Sequence, residues 1–195
     1  MPRIVSGAVL CVGMAITAAC ASPPSRFYTL SPTAPSGAAA SKLSVVVGPV
    51  SIPAIVDLPQ IVVSAGPNQV SLDEFNRWAS PLQNNISRVV AANLVVLLGT
   101  PRVSQFQQSL NADAEYRVAI EVQSFESAPG EAATLNAAWL VRRTRDGKTE
   151  AGRTTVREPA NDKDYDALAA AHSRALGRMS QDIADAVRTL DRATP

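Results

Sequence analysis

Apolar residues recur along this chain with two spacings, and the switch between them marks out its elements. Leu43 to Val47 is a β-branched run with the character of a buried strand, ended by Gly48-Pro49. Gln60 to Ser64 and Gln69 to Leu72 flank Ala65-Gly66-Pro67-Asn68, whose Gly, Pro and Asn predict a hairpin turn. Further on, Tyr116, Val118, Ile120 and Val122 alternate with Arg117, Ala119, Glu121 and Gln123, a strand with one wet face. Leu135, Ala137, Trp139 and Val141 repeat the pattern, and Asp146-Gly147 turns the chain into Thr149 to Val156. Pro53 and Pro59 bracket Ala54 to Leu58, so that stretch is neither helix interior nor central strand.

Two segments carry the helical spacing instead. Leu82, Ile86, Val89, Val90, Asn93, Leu94 and Leu97 recur at three and four residues, and Gly99 with Pro101 ends the element. Ser80 is placed to cap this helix, Pro81 suits its first turn, and Gln83 stands where a capping box returns a side chain. From Val89 to Leu98 it is apolar nearly all round apart from Asn93, so it is expected to be buried on more than one side. The last helix is the clearest: Tyr165, Leu168, His172, Leu176, Met179, Ile183, Val187 and Leu190 form one stripe. The order β-β-β-α-β-β-β-α predicts an α+β fold, a two-layer sandwich with an antiparallel or mixed sheet and two helices on one face.

The amino-terminal region breaks both patterns. Arg3 is followed by an apolar run from Ile4 to Ile16, with no acidic residue ahead of Asp57. This run is of signal-peptide length and falls short of the roughly 20 residues that cross a bilayer. Thr17-Ala18-Ala19-Cys20 then offers small residues before a cysteine, similar to the lipobox of bacterial lipoproteins. On that reading residues 1–19 are removed and Cys20 carries covalent lipid as the first mature residue. The other reading is an ordinary secretory signal that leaves Cys20 as a thiol. Residues 20–42, rich in Pro, Ala and Ser, read as a flexible tether, with Phe27-Tyr28-Thr29-Leu30 as an aromatic, β-prone docking segment inside it. Residues 43–192 form one globular domain.

Composition narrows the function. The chain holds 18 basic and 17 acidic residues, and the signal would take one basic residue with it, so the mature protein is formally neutral. Neutrality argues against nucleic acid as a partner and against a body that clings to acidic membrane by charge alone. With Cys11 removed and Cys20 lipidated no disulfide is left, and the fold rests on an apolar content of 46%.

Catalytic sets are scarce. His172 is the only histidine and lies on an apolar stripe, which suits a packed side chain better than a general base. There is no paired-histidine or Cys spacing for zinc, no Gly-x-Ser-x-Gly turn and no phosphate-binding glycine loop. The carboxylate pairs Asp73-Glu74 and Asp162/Asp164 lie where a turn or helix start wants acid anyway. A hydrolase would need His172 within hydrogen-bond reach of both a serine and a carboxylate. The chain is therefore expected not to be an enzyme and to need no cofactor beyond the lipid on Cys20.

Two dense clusters remain. One is Val47-Gly48-Pro49-Val50 with Pro53, Asp57 and Pro59-Gln60-Ile61-Val62; the other is Phe75-Asn76-Arg77-Trp78-Ala79-Ser80-Pro81-Leu82. Trp78 either plugs the core, with Arg77 paired to Asp73, Glu74 or Asp57, or shares a docking surface with Arg77, since Trp and Arg are favoured anchors. Both hold together if Trp78 is buried and Arg77 presented.

These clusters carry a resemblance to the PqiC-type, or ABC-type transport auxiliary, lipoprotein family. Its Tyr-x-Leu is matched by Tyr28 and Leu30. Its Gly-Pro-Val strand end, proline, aspartate and Pro-Gln-Ile-Val are matched by Gly48, Pro49, Val50, Pro53, Asp57, Pro59, Gln60, Ile61 and Val62. Its Asn-Arg-Trp-Ala and Pro-Leu are matched by Asn76, Arg77, Trp78, Ala79, Pro81 and Leu82, and its Ala-x-Asn-Leu by Ala91, Asn93 and Leu94. Leu58 stands where the family often has Arg, and Ser80 where it often has Glu.

The resemblance implies a non-catalytic lipoprotein that docks with an MCE-domain protein and its permease/ATPase system, which move lipid between the two membranes. It implies an outer-membrane position facing the periplasm, because Ala21 is not the aspartate that marks inner-membrane retention in enteric bacteria. Alternatives are a periplasmic lipid-binding carrier and a cell-wall or secretin accessory lipoprotein. Copy number stays open, a homo-oligomer included.

Overall fold

The computed structural model describes residues 23–106 and 113–193. Cys20 and the segment before it lie outside these residues. Eight strands, β1 Arg26–Tyr28, β2 Val45–Ser51, β3 Gln60–Gly66, β4 Gln69–Trp78, β5 Val103–Gln105, β6 Tyr116–Ala128, β7 Ala132–Arg143 and β8 Thr149–Pro159, join two helices, α1 Leu82–Leu98 and α2 Tyr165–Arg192. They form a five-stranded sheet in the order β5-β2-β6-β7-β8 and a three-stranded sheet in the order β1-β4-β3.

Both sheets are mixed. In the larger, β2 runs parallel to β5 and β6, and β6, β7 and β8 form an antiparallel meander. In the smaller, β3 and β4 are the hairpin read from the sequence, and β1 lies parallel to β4 along its other edge. The helices pack side by side on one face of the larger sheet, α1 over β2 and α2 over β7 and β8. This is the α+β sandwich that the periodicities predict.

The helix stripes are the core. Leu176, Met179, Ile183 and Val187 of α2 and Ile86, Val89, Val90 and Leu94 of α1 are 0% exposed, against Val118, Leu135 and Val141 of the sheet. Burial of one such side chain is worth about 1.5–3 kcal/mol, so the stripe alone decides which way α2 faces.

Local chemistry shifts several boundaries. Strand β2 does not stop at Gly48-Pro49: it continues to Ser51 through one register shift between Val47 and Val50. Gly48 sits at φ +128°, open to a residue without Cβ, and Pro49 follows through a cis bond. Strand β4 runs past Leu72 to Trp78, because the register shift between Gln60 and Val62 absorbs Asp73 to Asn76, which break the apolar alternation. Helix α1 starts without the expected Ser80 cap: Pro81 is its N-cap residue with no side-chain bond, and Gln83 donates to the Val50 carbonyl instead of back to its own helix. Helix α2 starts on Asp164, whose Oδ1 accepts from Ala167 N at 2.7 Å.

The segment read as a tether is bound down from Arg26 onward. Leu30 is fully buried, and Thr33 and Ala34 both donate backbone N–H to Asn93 Oδ1, at 2.9 and 3.0 Å. Ser31 N donates to Ser173 Oγ at 3.0 Å, and Ser41 reaches the end of α1 through Gly99 O (2.9 Å) and Leu98 O (2.7 Å). Composition alone suggests a free linker there, since the strap contributes little apolar surface. What holds it are polar groups buried on the helices: Ser173, and Asn93, which Ser180 braces from behind.

Candidate functional site

The family-like motifs meet where β1 lies along β4. The register pairs Arg26 with Asn76, Phe27 with Arg77 and Tyr28 with Trp78. Backbone bonds lock the ends: Ala79 N donates to Tyr28 O and Trp78 N to Pro59 O, both at 2.8 Å. Strand alternation then sorts the side chains. Tyr28 and Trp78 turn inward and are buried, while Phe27 and Arg77 turn outward.

Inside, a polar network ties the strands to α2. The Tyr28 hydroxyl donates to Asn76 Oδ1 at 2.8 Å, and Asn76 Nδ2 donates to Asp73 Oδ2 at 2.7 Å. Asp73 also accepts from Phe75 N at 2.8 Å and from the Tyr165 hydroxyl at 3.2 Å. The Phe75 N–H is the main reason the Asp73 carboxyl is held below its ordinary value. Burial, with the Asp73 charge behind it, pushes the Tyr165 hydroxyl up to about 12. The rings of Tyr28 and Tyr165 lie 5.8 Å apart.

Trp78 opens a second line of contacts. It meets Phe125 edge-on at 6.3 Å, and Phe125 stacks flat on His172 at 3.7 Å. His172 Nε2 is 2.8 Å from Ser127 Oγ. This is the serine contact a hydrolase would need, but His172 Nδ1 has no partner, so no carboxylate orients the ring. The imidazole is completely buried, and burial pushes its pKa down to about 3. Such a ring packs; it does not meet substrate. Among the described residues no group of three or more His, Cys, Asp or Glu is placed to hold a metal ion.

Outside, Arg77 Nε donates to Glu74 O at 2.9 Å, and its Nη2 lies 3.5 Å from Glu74 Oε2, which also accepts from Gln60 Nε2 at 3.1 Å. Of the three acids weighed for Arg77, Glu74 is the one this ion pair uses. It is a surface pair of small energetic weight, so Arg77 stays available at the surface. Pro53 leads into a single 3-10 turn, Ala54–Val56, that buries Val56 and leaves Asp57 and Pro59 exposed. Pro49 is exposed on the β2 bend, where Gln83 lines the same groove, and Pro81 is exposed at the start of α1.

The candidate residues thus fall into three neighbourhoods. Tyr28, Gln60, Asn76, Arg77 and Trp78 share the seam of the small sheet, and Leu30 continues it into the core. Pro49 belongs to the bend of β2, and Pro53 and Asp57 to the loop before β3. The sequence reading missed Asp73 and Tyr165 as partners of the Tyr28–Asn76 pair, since residues 92 apart share no local signal.

A family model described as ABC-type transport auxiliary lipoprotein component matches residues 28–184. Among solved structures, the chain is similar to a protein titled only as uncharacterized, with TM-score 0.69 and 19% identity over 85% of this chain and 99% of that one. It is equally similar to protein XCC0632 from Xanthomonas campestris, with TM-score 0.69 and 21% identity over 86% of this chain and 100% of that one. A PelC dodecamer from Paraburkholderia phytofirmans lies further off, at TM-score 0.40 and 13% identity over 77% and 89% of the two chains. No curated protein matches. The first two likenesses support the fold, and the family model runs from the buried Tyr28 of β1 to Ala184 of α2, so the chain belongs to the family of ABC-type transport auxiliary lipoprotein components.

Proposed function

We propose that the protein is a non-catalytic, lipid-anchored adaptor that docks with an MCE-type lipid transport system and tethers it to the outer membrane. The observation that carries this reading is the family match over residues 28–184, together with the Thr17-Ala18-Ala19-Cys20 lipobox that precedes it. In this reading Cys20 holds the lipid and the few residues before Arg26 form the leash. The outward residues Gln60 and Arg77, with Pro49, Pro53, Asp57, Pro59 and Pro81, face the transport partner. Tyr28, Leu30, Asn76 and Trp78 fix the surface from within.

The alternative of a lipid carrier needs room for an acyl chain between helices and sheet. That layer is filled by Leu176, Met179, Ile183, Val118 and Leu135, each 0% exposed. The adaptor reading is tested by Cys20→Ala, which is expected to move the protein from the membrane to the soluble periplasmic fraction with its fold intact. Capture of the lipidated protein, read by mass spectrometry, is expected to bring an MCE-domain protein with it. A variant that stays in the membrane fraction removes the anchor argument, and capture without any MCE protein removes the docking argument.

A further inference from the structure

Phe27 is 65% exposed, the most exposed of the large apolar side chains among the described residues. It cannot relieve this by turning inward. Its neighbour Tyr28 is buried and bonded to Asn76, and the parallel register of β1 on β4 therefore forces Phe27 to the outer face beside Arg77. Arg26, next to it, is exposed as well. A single phenylalanine in water is ordinary in itself; its place relative to the chain terminus is what matters.

Six residues lie between Cys20 and Phe27, which makes seven Cα-to-Cα steps. Fully extended, they reach at most about 25 Å. A domain of this size has a radius of gyration near 15 Å and is about 40 Å across. The leash is thus shorter than the body it holds. A domain anchored through Cys20 cannot present an arbitrary side to the bilayer: the surface around β1 stays within reach of the interface, and the far end of the larger sheet does not.

We propose that Phe27 inserts into the lipid interface next to the anchor, from the face of β1 opposite Tyr28. This rests on the lipid-anchor reading and adds an orientation to it. The partner of this face is the lipid surface itself. The aromatic ring suits the headgroup boundary and adds a second weak signal of the kind that a single lipid anchor needs. Formal neutrality of the whole chain is no obstacle, because the contact is local.

The test uses the lipidated protein carrying Phe27→Cys, floated with vesicles of phosphatidylethanolamine and phosphatidylglycerol. With Cys11 removed and Cys20 acylated, residue 27 holds the one thiol, so it takes an environment-sensitive fluorophore cleanly. The same label at Leu140→Cys, on the open face of the larger sheet, is the reference. Position 27 is expected to show a blue shift and quenching by brominated acyl chains, with position 140 showing neither. If the protein floats with the vesicles while position 27 reads as wet as position 140, the insertion is overturned and the anchor stands. If the protein does not float, the anchor falls and the insertion with it.

Discussion

Acid is expected to weaken this protein through one buried ring. His172 is completely buried in α2, stacked on Phe125 and bonded to Ser127, and burial pushes its pKa from 6.5 down to about 3. The folded state therefore binds fewer protons than the unfolded one between these two values. A depressed folded pKa contributes stability that is complete above pH 6.5 and is lost as pH falls toward 3. Between pH 7 and pH 5 the loss works out at about 2 kcal/mol, from 1.36 kcal/mol per unit below the unfolded pKa. That is a large share of a typical 5–15 kcal/mol and moves a urea midpoint by about 1 M. The carboxylates do not confuse the window: Asp73 and Asp146 are also lowered, but from 3.8, so their contribution fades only below about pH 4. The assay is urea unfolding of the mature chain carrying Cys20→Ala, followed by circular dichroism at pH 7, 6 and 5. His172→Gln is expected to be less stable at pH 7, since it loses the stack on Phe125, and flat from pH 7 to 5. A wild-type midpoint that does not move over this range, or a His172→Gln midpoint that moves just as far, refutes the reasoning.

Other side chains give separate tests. Asn93→Ala removes the acceptor shared by the Thr33 and Ala34 backbone N–H groups and the donor to Ser180 Oγ. It is expected to lower stability by about 2–4 kcal/mol and to open residues 31–42 to limited proteolysis, checked by the cleavage pattern. Arg143→Met strands Asp146 and the Leu190 carbonyl, both of which Arg143 holds from a buried position. It is expected to lower Tm by roughly 5 °C or more, whereas Arg157→Met, whose pair with Glu131 is 62% and 70% exposed, is expected to leave Tm almost unchanged in the same scan.

What the sequence made legible was periodic. The stripe from Tyr165 to Leu190 and the alternation from Tyr116 to Val122 named helix, strand and buried face together, because burial acts on many residues in register. Three-residue strands carry no period; β1 is marked by its aromatic pair, whereas Val103-Ser104-Gln105 of β5 has no such signal. The capping motif at Ser80 failed for a different reason. Gln83 has a competing acceptor in Val50 O, which is far away in sequence and adjacent in the fold. The strap at residues 31–42 was hidden because its partners are single polar side chains. Asn93 stood out as the polar exception in an apolar helix, and that anomaly was the local trace of a tertiary hydrogen bond.

The same logic separates shape from contact within the motif residues. A docking anchor has to be reached by its partner, and Leu30, Tyr28 and Trp78 are 0%, 8% and 6% exposed. These three cannot be the gripping surface. They set the register of β1 on β4, and that register puts Phe27 and Arg77 outward side by side and aligns Gln60 with Arg77 on the next strand. Moving β1 by one residue would exchange Phe27 for Tyr28 on the inner face, cut the Tyr28–Asn76 bond and bury Phe27. If Phe27 meets lipid and Arg77 meets the partner, as proposed above, the two contacts are not independent features of the chain. One three-residue strand, placed shortly after Cys20, would orient both, and on the proposed reading a variant that loosens it is expected to disturb membrane contact and partner contact together.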